Sequence, residues 1–231
     1  MQFRNAFLSA LAAEDLAELS PFLREIALFG GQVLAEPNDP ITSVYFPSNS
    51  AISIVTIMAD GRDVETVSIG CESVAGLLPA VTRIAPTTRM HVQIGGGAIS
   101  LPAEKLRARA ERSPTLMALV LRFAQARAAQ AEQSAACYAL HSLPSRLARW
   151  LLVCEDRVDR SEMLLTQDEM GVMAGALRSS ISMLASGFKQ QGLISYSRGH
   201  LQILDRPRLE AEACECYLAD RARRAANALS A

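Results

Sequence analysis

The chain has 231 residues, 50 % of them hydrophobic and 20 % charged, with a net charge of −1 at pH 7. This is the composition of an ordinary globular chain, not a disordered one, and no apolar run approaches the roughly 18 residues a membrane span needs. A near-neutral balance also excludes a bulk polycation, so any nucleic-acid contact has to come from a local basic patch.

The length suits two domains of about 100 residues, each with its own core. The start, Met1-Gln2-Phe3-Arg4-Asn5, lacks the basic stretch and apolar run of a secretory signal, so a cytoplasmic protein is expected. The five cysteines, Cys71, Cys137, Cys154, Cys214 and Cys216, are odd in number and scattered. In a reducing compartment they read as free, mostly buried thiols.

From Asn5 to Leu19 the apolar residues Phe7, Leu8, Leu11, Leu16 and Leu19 follow helical spacing. Between Ile26 and Leu101 the pattern changes to short β-prone runs: Ser43-Val44-Tyr45-Phe46, Ile52 to Ile57, and Val64 to Ile69. Turn signals separate them, including Glu36-Pro37-Asn38-Asp39-Pro40 and Asp60-Gly61. Asp-Gly between two alternating strands is a strong hairpin signal, and many short strands at this spacing predict a small barrel or sandwich.

Ser113-Pro114 then starts a helix free of Gly and Pro to about Leu140. At 1.5 Å per residue it would reach nearly ~40 Å, too long for the flank of a small barrel. Leu116, Leu119, Val120 and Phe123 form an apolar stripe, followed by Ala124, Ala128, Ala131 and Ala135. Large residues followed by small ones suit close packing against a partner helix, with Arg127 and Gln130 expected on the same seam. A long helix packed on its own domain is the alternative.

Leu143-Pro144 ends that helix, and a second from Ser145 to Arg157 carries Leu147, Trp150, Leu151, Val153 and Cys154. Thr166 and Glu169 then form a capping box opening a short helix with Met170, Met173 and Ala174 inside. Gly175-Ala176-Leu177 makes a tight turn. Arg178 to Gln191 is a further helix, with Ile181, Leu184 and Phe188 inward and Gly192 ending it. Leu193 to Tyr196 and Leu201 to Leu204, joined by Ser197-Arg198-Gly199-His200, read as a two-stranded wing.

Helix, short glycine turn, helix is the helix-turn-helix pattern, whose second helix fits the DNA major groove. Its outward N-terminal residues would be Arg178, Ser179, Ser180, Ser182 and Met183. Arg178 can pair with a guanine or a phosphate, whereas serines read bases weakly. Lys189, Arg198 and His200, together with the helix start at Thr166 and Gln167, are expected on phosphates.

These residues resemble the cyclic-AMP receptor protein and fumarate–nitrate regulator (Crp/Fnr) family of bacterial transcription regulators. The resemblance rests on Arg146 to Leu152, Leu165 to Met170, Gly192-Leu193-Ile194, Tyr196 to His200, Leu204-Asp205-Arg206, Ala213 to Tyr217, and Val44-Tyr45-Phe46-Pro47. It implies an α+β chain in three parts. Residues 1–112 would be a cyclic-nucleotide-binding-like β-barrel (a double-stranded β-helix) acting as sensor. Residues 113–141 would be the dimerisation helix, and residues 142–231 a winged helix-turn-helix domain with a C-terminal helix. Double-stranded DNA with two-fold symmetry is the implied partner, and RNA polymerase a further one. The alternative function is a small-ligand sensor with little or no DNA binding.

Two stretches depart from the family. Its recognition helix usually begins Ser/Arg-Arg-Glu-Thr-Val with a second Arg; here Arg178 is kept, and Ser179 and Met183 replace the carboxylate and the second Arg. A different operator follows. The family's cyclic-nucleotide binders carry Gly-Glu-Leu and Arg-Ser/Thr-Ala; here Gly70-Cys71-Glu72-Ser73 and Arg89-Met90-His91 stand nearest. Glu72, Ser73, Arg89 and His91 are therefore the effector-pocket residues by resemblance. Cyclic AMP is not the expected effector, because Met90 and His91 would crowd its phosphate.

No certain cofactor is expected. The first 70 residues hold no cysteine for an iron–sulfur cluster, and His91 alone could ligate a haem in the sensor. Cys71 lies beside Glu72, whose charge raises the thiol pKa and makes it less reactive. Cys214 and Cys216, if on one helix, would point about 200° apart, which predicts no shared metal. Arg221, Arg223 and Arg224 read as a solvated basic helix end. No Ser-His-Asp or Cys-His arrangement, P-loop or metal cluster is legible, so no enzymatic activity is expected.

Overall fold

The computed structural model describes residues 3–158, 160 and 162–229, except for the side chains of 226–229. Asn5 caps the first helix, α1 (Ala6–Ser9), its Oδ1 accepting from the Phe7 and Leu8 amides at 3.0 and 3.4 Å. Its Nδ2 donates to the carbonyls of Pro47 and Ser73, which ties the chain start to the strands. The helical run to Leu19 is two helices, α1 and α2 (Ala13–Leu19). Phe7, Leu8, Leu11 and Leu19 all enter one apolar cluster, which the bent pair wraps.

The expected short strands form two facing antiparallel sheets in a jelly-roll-like sandwich, not a closed barrel. One sheet has the order β1 (Arg24–Leu28), β7 (Gly96–Pro102), β3 (Ser43–Pro47). The other has β2 (Val33–Ala35), β6 (Arg89–Ile94), β4 (Ala51–Ile57), β5 (Asp63–Ile69). β4 and β5 are the hairpin marked by Asp60-Gly61, with Ile57 opposite Asp63. Leu28, Ile52, Ile54, Val67, Ile69, Met90 and Val92 fill the space between the sheets. Alternation sends Ser53 and Gln93 to the other face, and a bulge in β5, where Ile54 pairs with Val67 but Val55 with Glu65, turns Glu65 there too; these polar residues are also buried, because the C-terminal half of the chain covers that face.

Two short helices, α3 (Leu77–Thr82) and α4 (Ala103–Ala110), lead to the long helix α5 (Pro114–Leu140). Ser113 caps α5, its hydroxyl accepting from the Leu116 amide at 3.1 Å. The apolar stripe of α5 does not face outward. Leu116, Leu119, Val120 and Phe123 are buried in the chain's own core, where Phe123 meets Phe7 edge-on with ring centroids 5.0 Å apart. Gln130 donates to the Ser68 carbonyl at 3.1 Å, and Arg127 is half-buried beside Glu72. All six residues expected at the dimer seam thus turn inward. Spacing identifies a face that seeks apolar cover, but it does not say what provides the cover. The face of α5 left in solvent carries Ala118, Leu121, Gln125, Ala128, Glu132, Ala135 and Ala139, which recur at alternating intervals of three and four.

The C-terminal half opens with α6 (Leu143–Val158), whose Leu147, Trp150, Leu151, Leu152 and Cys154 are fully buried. Each large apolar side chain there contributes roughly 1.5–3 kcal/mol by leaving water. Then follow β8 (Glu162–Leu164), α7 (Gln167–Ala174), α8 (Arg178–Gln190), β9 (Ile194–Ser197), β10 (His200–Ile203), α9 (Arg206–Glu212) and α10 (Cys216–Leu229).

The two halves share one interior. Ala51 and Ile94 of the sandwich belong to the same apolar cluster as Trp150, Met173 and Phe188. The Tyr138 hydroxyl lies 2.7 Å from the carbonyl oxygens of Glu65 in β5 and Met173 in α7, and can donate to either. Arg157 of α6, 1 % exposed, pairs with Glu72 at 2.8–2.9 Å. Gly70 leaves room for it: a Cβ there would come within 2.6 Å of the Arg157 side chain.

Glu65 sits in this interface, fully buried, accepting from Gln93 Nε2 at 2.8 Å and from the Ser53 hydroxyl. Burial outweighs these hydrogen bonds and the nearby Arg157 and Arg149, and pushes its pKa from 4.5 to about 8. The folded chain therefore holds a proton between pH 4.5 and about 8 that the unfolded chain has released, so stability falls as pH rises through that window. Denaturant unfolding of the wild type is expected to lose up to ~1.4 kcal/mol per pH unit there. Glu65→Gln is expected to flatten that slope; an identical slope in the variant would assign the dependence to other groups.

Candidate functional site

The capping box anticipated at Thr166 is present. The Thr166 amide donates to Glu169 Oε2 at 2.6 Å, and the Glu169 amide to Thr166 Oγ1 at 3.2 Å. Gly175 ends α7 at φ 62°, a left-handed conformation that side chains disfavour, and the chain reverses in Ala176-Leu177. Ile181, Ala185 and Phe188 then bury one face of α8 against the domain core. What remains outward is Arg178, Ser179, Met183, Ser186, Lys189 and Gln190, with Ser180 and Ser182 half-buried. Met183 is 71 % exposed, an apolar side chain standing in solvent. Ser186 and Gln190 were not among the sequence candidates, although four residues on from Ser182 is Ser186 and four more is Gln190.

Arg178 makes a 3.4 Å ion pair with Asp168 in which both side chains are mostly exposed. Such a pair is worth about 0–1 kcal/mol, so a phosphate or base edge can displace it. Lys189 Nζ donates to the Tyr196 carbonyl at 3.1 Å and so braces the wing. Arg198 is exposed in the turn between β9 and β10, and His200 lies 2.6 Å from Glu162. Gln167 donates to Ser182 at 3.3 Å, linking α7 to α8. Thr166 and Gln167 are thus partly engaged, and the Glu169 carboxylate already occupies the start of α7. The start of α8, by contrast, has no side-chain cap, so its amides are open to an anion.

The four effector candidates do not converge. Glu72 and Ser73 line a narrow cleft with Arg127, Arg157 and Arg224. Arg89 and His91 line a different cleft of about 220 Å³, between the outer face of the sandwich and Asp168, Glu169 and Val172 of α7. Glu72 is held by Arg157, and Arg89 pairs with Glu36 at 2.9 Å. The reason is strand alternation: Met90 and Val92 point between the sheets, so Arg89 and His91 point out. Burial pushes the His91 pKa down and, with the Glu72 charge, the Cys71 thiol up.

Cys214 and Cys216 do not diverge as their spacing suggested. Cys214 lies in the link between α9 and α10, after Ala213 in extended conformation, and Cys216 begins α10. The helical angle therefore does not separate them. Their sulfurs, the Cys137 sulfur and a ring nitrogen of His141 all lie within 4.8 Å of one another, a grouping of possible metal ligands that the spacing did not predict.

Residues 145–212 match the Crp-like helix-turn-helix domain. The fold as a whole is that of Crp/Fnr regulators. The structure of FixK2 from Bradyrhizobium japonicum superposes with a TM-score of 0.70 at 16 % identity, covering 83 % of this chain and 98 % of that one. A Crp/Fnr-family structure from Eubacterium rectale gives 0.69 at 19 %, covering 87 % and 94 %. The CRP-family regulator TTHB099 from Thermus thermophilus gives 0.68 at 17 %, covering 81 % and 96 %. A search of curated proteins finds no significant match. No described helix is long and apolar enough to cross a membrane.

Glu72 in this geometry is an interface anchor, not a free ligand group. Glu72→Gln removes the ion-pair partner of the buried Arg157 and is expected to lower the unfolding free energy by about 3–5 kcal/mol in urea titrations. A variant as stable as the wild type would show that Glu72 is not needed to hold the two halves together.

Proposed function

We propose that this chain, whose C-terminal domain is of the Crp-like helix-turn-helix type, is a dimeric, sequence-specific DNA-binding transcription regulator. The observation that carries the reading is the outer face of α8. It is open to solvent along its length, and residues 178–190 include Arg178 and Lys189 but no carboxylate. A helix of this kind fits the roughly 12 Å major groove. Arg178 is the reader of guanine or the first phosphate contact. Ser179, Ser180, Ser182 and Ser186 supply hydroxyls that accept or donate, and Met183 offers apolar contact to a thymine methyl. Lys189, Arg198 and His200 flank that face and would hold phosphates, as would the uncapped start of α8. Gln190, Thr166 and Gln167 lie at the margins.

Dimerisation is assigned to the exposed face of α5. Intervals of three and four average the 3.5 residues of a two-stranded coiled coil. Leu121, 61 % exposed, is the large apolar residue on a face otherwise made of small and polar side chains, which lets two backbones approach closely. Two copies would then present α8 to successive major grooves about 34–36 Å apart. The effector is not a cyclic nucleotide in this reading, because Glu72 and Arg89 lie on separate clefts and are already paired. An activating member would also meet RNA polymerase.

Selection from a random duplex library at low salt is expected to enrich a two-fold symmetric sequence, with affinity falling steeply as salt rises. Enrichment of no sequence would sink the regulator reading and leave a sensor without DNA. On the selected site, Arg178→Ala is expected to cost about 1–3 kcal/mol. Leu121→Glu is expected to convert the dimer to a monomer in light scattering; a persistent dimer would place the seam elsewhere.

A further inference from the structure

We infer that Cys137, His141, Cys214 and Cys216 bind one zinc-like divalent ion, which pins the start of α10 to the end of α5 at the joint between the long helix and the DNA-binding domain. The site is independent of DNA recognition. Cys137 and His141 stand one turn apart at the end of α5, and Cys214 and Cys216 flank the start of α10. All three cysteines are buried and His141 is half-buried.

Two of the ligand–ligand distances match those of a tetrahedron about a metal, and the four ligand atoms all lie within 4.8 Å of one another. With Zn–S bonds of ~2.3 Å and a Zn–N bond of ~2.0–2.1 Å, ligand sulfurs lie ~3.8 Å apart and a sulfur and nitrogen ~3.5–3.6 Å apart. Here Cys137 Sγ and Cys214 Sγ are 3.6 Å apart, and Cys216 Sγ and His141 Nδ1 are 3.5 Å apart. A disulfide would need ~2.05 Å.

The surroundings fit as well. His141 Nε2 lies 3.0 Å from Glu215 Oε1. With the ring proton on Nε2 and donated to that carboxylate, the Nδ1 lone pair is left for the metal. Gln133 Nε2 donates to Cys216 Sγ at 3.0 Å, which favours a thiolate. Arg149 is 1 % exposed and has no carboxylate within ion-pair distance among the described residues, and its Nη1 points at Cys137 Sγ at 3.8 Å. Three thiolates, one neutral imidazole and one divalent cation sum to a single negative charge. That charge compensates the buried guanidinium. Binding releases the three thiol protons to solvent and changes no oxidation state. Four protein ligands leave no open position, so the ion is structural.

Protein purified under reducing conditions without chelator is expected to carry about one zinc per chain by elemental analysis. Reduced apoprotein titrated with Co²⁺ is expected to develop the visible bands and thiolate charge transfer of a tetrahedral site. Cys214→Ser and Cys216→Ser should abolish both signals, whereas Cys71→Ser should keep them. His141→Cys should keep cobalt bound with stronger charge transfer, a gain that a merely misfolded variant cannot produce. Metal well below one per chain with no tetrahedral cobalt spectrum in the reduced wild type would overturn the assignment. So would full metal retention in Cys214→Ser and Cys216→Ser, or a Cys137–Cys214 disulfide in metal-free protein.

Discussion

Arg157 brings a full positive charge into the interior, and Glu72, from a turn of the sandwich, meets it at 2.8–2.9 Å. Around that pair the chain closes into one body. Gly70 lacks the side chain that would block Arg157. Asp156, next to Arg157, takes Arg206 at 2.6 Å and Arg224 at 2.5 Å, so α9 and α10 are drawn to the same end of α6. A buried ion pair adds little net stability over apolar packing, but losing one partner is costly. Its consequence here is geometric: it fixes which face of the sandwich the C-terminal half must cover.

That cover changes the setting of the outer face of the sandwich. In a sheet with one solvated face, Ser53, Glu65, Arg89, His91 and Gln93 would be wet. Here α6 and α7 lie over them, leaving Glu65 in a dry, hydrogen-bonded setting and Arg89 and His91 at the wall of a cleft against α7. That cleft is walled by α7, the helix that packs on α8.

α5 serves both sides of the molecule. Its first half is core, with Phe123 against Phe7, and its second half carries Tyr138 to the meeting point of β5 and α7. Its end, at Cys137 and His141, meets the start of α10. A single long helix therefore touches the N-terminal core, the interface and the C-terminal helix. Its remaining face is narrow, small-residued and free for a second copy. Close packing of this kind transmits displacement because interiors have few voids to absorb it.

The amino-acid sequence alone determined the local structure. Asp60-Gly61 marked a hairpin, Ser113-Pro114 a helix start, the Thr166–Glu169 box another, and the 166–204 pattern a winged helix-turn-helix with Ile181 and Phe188 inward. These follow from dihedral preferences and periodicity, which act over a few residues. Tertiary structure decided what each face meets. Leu116, Leu119, Val120 and Phe123 read correctly as a buried stripe, yet within the chain the surface that covers them is its own N-terminal core. Glu72 and Arg89 stand near each other along the chain but point into different clefts, because alternation and the C-terminal cover set their directions. Cys137 and His141 come to Cys214 and Cys216 only because α10 folds back on the end of α5, a contact between residues far apart in the chain that no local preference encodes.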